Sequence, residues 1–291
     1  MNENRLTRVR SWLFTPGTRP ERFDKAAASG ADVSIIDLED AVAPRDKPEA
    51  RRTALAHLVQ PAVGLCARAL RINALVTRAG IADLEALLES EASPDYLVLP
   101  KSESAAHLQI LDRLLGEASK VTRLVALIES AKGLAAVEEI ATSTPRLTAL
   151  LFGAADMSAD LGAATAWAPL AYARSRLVAA GALAGVLVID TPFFDVKDHE
   201  GLTQETSQAV AMGFEGKAAI HPNQIAAINA ALTPHPEDVE RARAILAENA
   251  KGVGVVQGQM VDEAVARKAR RILGAAGESI PSNNIPQPQS R

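Results

Sequence analysis

Apolar residues recur along the chain in eight short runs, each five to seven residues long and bounded by charged or turn-forming residues. Such runs are typical of buried strands. They are SWLFT (11–15), DVSIIDL (32–38), ALRIN (69–73), YLVLP (96–100), RLVALI (123–128), LTALLF (147–152), GVLVID (185–190) and KAAIH (217–221). Between them the apolar positions change to a helical period, as in residues 81–90, 104–118 and 134–143. The pattern therefore predicts alternating strands and helices.

The spacing of the runs indicates how the predicted strands are arranged. Successive runs begin 21 to 38 residues apart, which is the length of one strand–helix unit. Eight such units predict an α/β protein with a (β/α)8 TIM barrel rather than an open sheet. A dinucleotide-binding fold is disfavoured because the segment GVGVVQG (252–258) has its third glycine one residue late and begins no strand–helix unit.

The chain continues beyond the eighth run with two more predicted helices. These helices cover residues 236–250 and 262–273, and the glycine-containing segment 252–261 joins them. The final residues are polar and proline-rich, a composition typical of disorder. We expect a barrel over residues 1–232, a C-terminal helical extension and lid over residues 233–274, and a disordered tail over residues 275–291.

The composition excludes several classes of protein. Hydrophobic residues make up 48% of the 291 residues, enough for a sizeable core, and a net charge of −4 offers no basic surface to nucleic acid. Cys66 is the only cysteine, so neither an internal disulfide nor a multi-cysteine zinc site can form. The chain shows no signal peptide and no run of membrane-spanning length. We therefore expect a cytoplasmic protein that acts on small molecules.

Polar residues follow the predicted strands at their carboxyl ends, where the active sites of such barrels lie. Arg71 lies in the third run, Lys101 follows the fourth, and Asp190 ends the seventh. Glu129 and Asp156 follow the fifth and sixth runs, and neighbouring strands are about 4.8 Å apart, so both side chains can reach one point. Carboxylates this close repel each other unless a cation such as Mg²⁺ lies between them.

The same residues also have structural interpretations that the spacing leaves open. Glu129 and Asp156 could cap the helices that begin near them. Arg71 could be an ion-pair partner of Asp37 or Glu39.

Eight motifs, which together span nearly the whole chain except both ends, resemble those of one known family. They are LFTPGTRPERFDKA (13–26), DLEDAV (37–42), LRINA (70–74), LPKSES (99–104), LIESAKG (127–133), GAADMSADLG (153–162), GKAAIHPNQ (216–224) and GQMVD (258–262). In these motifs the chain resembles the citrate lyase β-subunit-like (CitE-like) proteins of the HpcH/HpaI aldolase/citrate lyase superfamily, which include malyl-CoA and citramalyl-CoA lyases.

The resemblance implies roles for the matching residues. Glu129 and Asp156 match the ligands of a Mg²⁺ ion, in a site that could also take Mn²⁺. Arg71 matches an active-site arginine beside the thioester oxygen, and Asp262 matches a lid aspartate that acts as acid and base in a neighbouring subunit's site. Glu39 and Asp40 match acids around the waters of the metal. The backbone of Gly153, Ala154 and Ala155 is expected to bind the carboxylate of the oxo acid. Phe14, Arg19 and Lys25 match residues that line the CoA entrance.

The implied activity is that of a Mg²⁺-dependent carbon–carbon lyase in a homotrimer or hexamer. It would cleave or form a 3-hydroxyacyl-CoA thioester such as citramalyl-CoA, malyl-CoA or citryl-CoA, with a 2-oxo acid and acetyl-CoA as the other partners. Two alternatives are a citrate lyase β subunit acting on an acyl-carrier-bound thioester and a metal-dependent aldolase of free hydroxy-oxo acids. Aldolases of that kind resemble this chain in the metal pair but use a histidine near the early strands as the base. None of the five histidines here closely follows the first or second run, which disfavours the aldolase. A non-enzymatic scaffold is disfavoured because the acidic pair and Arg71 are all present.

Overall fold

The chain folds into two compact units, Met1–Leu232 and Thr233–Arg291. The computed structural model describes residues 9–62, 64–251 and 254–278. The first unit is a closed barrel of eight parallel strands in sequence order, so the predicted (β/α)8 TIM barrel is confirmed. Within the described part of the chain, no helix is both long and apolar enough to cross a membrane.

Eight strands form the barrel wall, and the first pairs with the eighth to close it. The strands are β1 (Ser11–Pro16), β2 (Val33–Asp37), β3 (Ala67–Arg71), β4 (Tyr96–Leu99), β5 (Arg123–Ile128), β6 (Leu147–Phe152), β7 (Leu187–Asp190) and β8 (Gly216–Ala219). Each strand begins and ends within two residues of the apolar run that predicts it.

Helices surround the barrel and connect its strands. They are α1 (Phe23–Ala27), α2 (Lys47–Val59), α3 (Arg78–Glu89), α4 (Ala105–Glu117), α5 (Ala131–Ala135), α6 (Val137–Ala141), α7 (Ala154–Leu161), α8 (Trp167–Ala184), α9 (His199–Met212) and α10 (Ile225–Ala231). Polar side chains cap several of them, as Thr77 and Ser104 do for α3 and α4. The helix predicted over residues 134–143 is instead divided between α5 and α6, because the backbone of Ala136 leaves the helical region.

Alternation along the strands creates two apolar layers. In β2, for example, Val33 and Ile35 point into the barrel, whereas Ile36 faces the surrounding helices. Both faces of the strands are covered, which explains why the sequence shows apolar runs rather than a polar alternation. The same parity decides which residues at the strand ends face the centre of the barrel.

The second unit contains two helices and a two-stranded antiparallel hairpin. Its elements are α11 (Pro236–Asn249), β9 (Gly254–Val256), β10 (Gln259–Val261) and α12 (Glu263–Ala275). Ala242 and Ile245 of α11 pack with Val261, Ala269 and Leu273 in a small core of their own. The tail predicted over residues 275–291 falls mostly on residues 279–291, which lie outside the described residues.

A buried ion network joins the last two barrel strands to their helices. Lys217 of β8 is fully buried, and its Nζ atom lies 2.8 Å from carboxylate oxygens of both Asp190 and Glu205. The Nε atom of Arg174 in α8 donates a hydrogen bond of 2.9 Å to the other oxygen of Asp190. Asp190 and Glu205 together therefore balance the two buried cations on the outer face of the barrel.

We expect Asp190→Asn to lower the free energy of unfolding by about 3–5 kcal/mol, because it leaves the buried Arg174 without its counter-ion and Lys217 with one partner instead of two. Urea unfolding of the full chain measures the loss. The matched control is Glu117→Gln, which breaks the exposed pair with Arg113 and should change stability by less than about 0.5 kcal/mol. Equal effects of the two variants would contradict a stabilising role for the network.

Candidate active site

A cavity of about 420 Å³ opens at the carboxyl ends of the barrel strands. This is the end at which TIM barrels carry their active sites. Acidic and apolar side chains line it together. The lining residues are Phe14, Pro16, Asp37, Asp40, Ala41, Arg71, Leu127, Glu129, Leu151, Phe152, Gly153, Ala154, Ala155, Asp156, Thr191, Pro192, Phe194 and Ile220.

Glu129 directly follows β5 and is a buried carboxylate, with only 3% of the residue exposed. Its Oε1 atom accepts a hydrogen bond of 2.8 Å from the backbone N–H of Lys101. It does not cap α5, because Ser130 does so by accepting the N–H of Gly133 at 3.1 Å. The capping interpretation of Glu129 is therefore wrong, and its carboxylate faces the cavity.

Gly153 at the end of β6 makes room for this carboxylate. Its N–H donates to the carbonyl oxygen of Ile128 at 3.0 Å, which holds the ends of β5 and β6 together. A Cβ atom on Gly153 would lie 2.5 Å from the Cβ atom and 2.8 Å from the Oε2 atom of Glu129. Such distances are impossible for real side chains, so the position of Glu129 requires glycine here.

Asp156 lies in the first turn of α7, the helix that follows β6. Gly153 is the N-cap residue of this helix, so Asp156 is not its cap. A carboxylate in the first turn is favoured by the positive end of the helix dipole. The N–H of Ala154, the first residue of α7, donates to Thr191 Oγ1 at 3.2 Å, which fixes the start of the helix against the end of β7.

Arg71 lies at the end of β3 and forms a forked pair with Asp37 of β2, its partner in register. The Nε and Nη2 atoms of Arg71 donate to the two oxygens of Asp37 at 2.6 and 2.7 Å. Its Nη1 atom lies 3.0 Å from Glu39 Oε2, without the alignment of a hydrogen bond. The ring of Phe14 packs 4.9 Å from the guanidinium carbon. The predicted ion pairs are present, and Arg71 still lines the cavity.

Burial dominates the electrostatics of two acidic residues, Glu129 and Glu39. Removal from water raises the pKa of Glu129 to about 8, and the nearby Glu39 carboxylate acts in the same direction. Burial also raises the pKa of Glu39, although Arg71 and Lys101 oppose this shift. For Arg71, burial favours a lower pKa, but Asp37 and Glu39 more than compensate, so the net pKa is raised.

Lys101 connects these acids although its side chain is partly exposed. Its Nζ atom donates a hydrogen bond of 2.7 Å to Glu39 Oε1 and lies 3.9 Å from Asp156 Oδ1. Its backbone has φ of +47°, a left-handed conformation that is uncommon for residues other than glycine. The conformation directs the backbone N–H to Glu129 while the side chain reaches Glu39.

The donor set suits a hard divalent cation. Among residues 9–62, 64–251 and 254–278, no group of three or more histidine, cysteine, aspartate or glutamate side chains is arranged to hold a metal ion. Glu129 and Asp156 supply carboxylate oxygens from adjacent elements around one cavity. Mg²⁺ binds to proteins through one or two carboxylates and fills its other positions with water and substrate oxygens. The pair therefore fits Mg²⁺ better than Zn²⁺, which prefers three or four nitrogen or sulfur ligands.

The structure brings most of the predicted site residues together. The exceptions are Arg19 and Lys25, which are exposed near the start of α1 and do not line the cavity. Asp262 belongs to the second unit, where its side chain caps α12 by accepting the N–H of Val265 at 2.9 Å. Sequence reasoning missed Thr191, whose contact with Ala154 has no signature in the motifs.

Comparison with known proteins agrees with this geometry. The family model described as HpcH/HpaI aldolase/citrate lyase matches residues 10–222. The L-malyl-CoA/β-methylmalyl-CoA lyase of Rhodobacter capsulatus is 39% identical, over 92% of this chain and 94% of that protein.

Solved structures show the same fold. The crystal structure of RipC from Yersinia pestis is 55% identical with a TM-score of 0.72, covering 80% of this chain and 99% of that one. CitE from Mycobacterium tuberculosis, in complex with magnesium, acetoacetate and coenzyme A, is 36% identical with a TM-score of 0.78, covering 94% and 100%. The chain therefore belongs to the HpcH/HpaI aldolase/citrate lyase family.

Proposed function

We propose that the protein is a Mg²⁺-dependent carbon–carbon lyase that cleaves or forms a 3-hydroxyacyl-CoA thioester, with a 2-oxo acid and acetyl-CoA as the other partners. The observation that carries the proposal is the pair Glu129 and Asp156, which share one cavity with Arg71. The similarity to a malyl-CoA lyase and to a CitE structure that contains magnesium and coenzyme A supports it.

Glu129 and Asp156 would hold the metal ion between the ends of β5 and β6. When bound, Mg²⁺ supplies Lewis-acid polarisation of the carbonyl of the oxo acid. The buried carboxylates of Asp37 and Glu39 hold the guanidinium of Arg71 in place. The guanidinium would then place a fixed positive charge beside the thioester oxygen, where negative charge develops as the carbon–carbon bond breaks.

The start of α7 supplies a second anion-binding element. The N–H groups in the first turn of a helix have no acceptor within the helix. The N–H of Ala154 is occupied by Thr191, so the N–H of Ala155 is better placed to bind the carboxylate of the oxo acid. Glu39, held by Arg71 and Lys101, and Asp40 at the cavity wall would order water around the metal.

The cavity also favours particular oxo acids. Arg71 is its only cationic lining residue within the described chain, and this side chain already contacts Asp37 and Glu39. The rest of the wall is largely apolar, with Leu127, Phe152 and Phe194 among its members. A second carboxylate on the oxo acid would therefore meet no unpaired cation, since Lys101 beside the cavity is held by Glu39, whereas a hydrogen or methyl group would fit. We accordingly favour glyoxylate or pyruvate over oxaloacetate as the oxo acid.

Among the described residues, none of those that line this cavity carries a phenolic, imidazole or thiol group, the groups that often exchange protons. We propose that Asp262 of a second copy supplies the acid and base, in a homotrimer or a pair of trimers. Asp262 is exposed and follows directly after the hairpin of the second unit. Its role in capping α12 is compatible with this function, because capping occupies only one carboxylate oxygen.

Metal binding should depend on the acidic pair. We expect Glu129→Gln or Asp156→Asn to weaken Mn²⁺ binding, measured by calorimetry, by at least about tenfold, because Mg²⁺-type sites have few protein ligands. Gly153→Ala should weaken it similarly by displacing Glu129. Its control is Gly116→Ala, where the nearest atom would be 3.9 Å from the new Cβ. Unchanged binding in Glu129→Gln would remove the metal assignment.

Substrate choice provides the direct test of the activity. With Mg²⁺ present, we expect kcat/KM for citramalyl-CoA or malyl-CoA to exceed that for citryl-CoA by at least about tenfold, equivalent to roughly 1.4 kcal/mol. Chelation of the metal should abolish cleavage. Fastest turnover of citryl-CoA would contradict the argument from the apolar wall, and no cleavage of any of the three thioesters would contradict the lyase proposal.

Mixed oligomers test the shared site. Arg71→Ala and Asp262→Ala subunits should each be inactive alone, because each lacks one required group. After subunit exchange, activity should partly return, since some sites then combine an intact Arg71 with an intact Asp262 from the neighbouring copy. Absence of recovery, with exchange demonstrated by labelled subunits, would show that each chain completes its own site.

A further inference from the structure

Negative charge exceeds positive charge around the cavity. Four carboxylates line it, those of Asp37, Asp40, Glu129 and Asp156, and a fifth, that of Glu39, contacts Arg71 and Lys101 beside it. The cations that pair with these carboxylates are Arg71 and Lys101, so the acidic side chains outnumber their cationic partners by five to two. A site this acidic attracts a divalent ion strongly but repels the anionic oxo acid that must join it.

Lys101 carries an ammonium group within 4 Å of Asp156, one of the two proposed metal ligands. It contacts Glu129 through its backbone and approaches Asp156 through its ammonium group, at 2.8 and 3.9 Å respectively. The guanidinium of Arg71 is instead held by its two hydrogen bonds to Asp37. The ammonium of Lys101 would therefore lie close to a metal ion held by Glu129 and Asp156.

The backbone of Lys101 indicates that the side chain itself matters here. With φ of +47°, the position favours glycine, which adopts this region without the steric cost of a Cβ atom. A glycine would retain the N–H that holds Glu129. The lysine therefore brings something that the backbone conformation alone does not require, namely its charge at Glu39 and Asp156.

We propose that Lys101 is a positioning residue that sets the charge balance of the metal site, weakening divalent-ion binding and strengthening binding of the anionic oxo acid. The inference rests on the proposed function, in which Glu129 and Asp156 hold the metal. It makes two predictions of opposite sign, whereas a residue that merely supported the loop would, when lost, weaken both ligands together.

The test uses the full-length protein and two separate binding titrations. Mn²⁺ binding is followed by electron paramagnetic resonance, and pyruvate binding to the Mn²⁺-loaded protein is followed by calorimetry. We expect Lys101→Met to lower the Kd for Mn²⁺ by at least about fivefold and to raise the Kd for pyruvate by at least about fivefold. Lys101→Gly, which also relieves the left-handed backbone, should give the same two changes even if Lys101→Met folds poorly.

Lys132→Met is the matched control, because it removes a lysine charge from the neighbouring α5, where the side chain is 72% exposed and pairs with Glu103. It should leave both dissociation constants within about twofold of the wild type. Lys101→Arg retains the charge and should stay closer to the wild type than Lys101→Met.

Weaker or unchanged Mn²⁺ binding in both Lys101→Met and Lys101→Gly would overturn the inference, and so would unchanged pyruvate binding. Failure of the proposed function gives a different result. In that case the wild type would bind no Mn²⁺, or Glu129→Gln would bind it as well as the wild type does. Mn²⁺ binding that depends on Glu129 but not on Lys101 would sink this inference alone.

Discussion

Glu129 is a carboxylate buried at the end of an apolar strand, and the loss of its hydration is the constraint on which the rest of the site depends. Burial raises its pKa to about 8, which shows how poorly the surroundings compensate a negative charge there. Only one hydrogen bond, from Lys101, reaches it among the described residues. A divalent ion would supply the missing compensation, and Gly153 keeps the approach to the carboxylate clear. A buried carboxylate with so little compensation destabilises the fold, but it also attracts a cation strongly.

Support for the site extends outward from Arg71 through the loops that follow β2 and β3. Asp37 accepts the N–H of Glu39 at 2.9 Å, which ties the acid to the strand end. Lys47 donates to the carbonyl oxygen of Glu39 at 2.9 Å, and Asn73 donates to that of Leu38 at the same distance. These loops are therefore held by buried hydrogen bonds rather than by apolar packing alone, which suits a site that must keep its geometry while charge changes.

Much of the fold and part of the site could be predicted from the sequence. The strands were accessible because burial on both faces produces continuous apolar runs of strand length. Glu129 is recognisable because it directly follows such a run, at the carboxyl end of a barrel strand, where active sites lie. The left-handed backbone of Lys101 and the hydrogen bond from Ala154 to Thr191 cannot be predicted from the sequence, because each depends on how separate loops meet in space. The division of the predicted helix into α5 and α6 is not visible in the sequence either, because it depends on the backbone of one residue, Ala136, which leaves the helical region.

Comparison of Asp190 with Glu129 shows why a carboxylate at a strand end is not by itself a site residue. In β5, Leu127 points into the barrel, so Glu129 two positions later does so as well. In β7, Ile189 points inward, and Asp190 therefore faces the helices, where Arg174 and Lys217 neutralise it. Whether an acid lies an even or an odd number of positions from an inward-facing residue thus decides whether it faces the cavity or the helices. An acid that meets cations of its own chain stabilises the fold, whereas one turned to the cavity keeps its charge for a ligand.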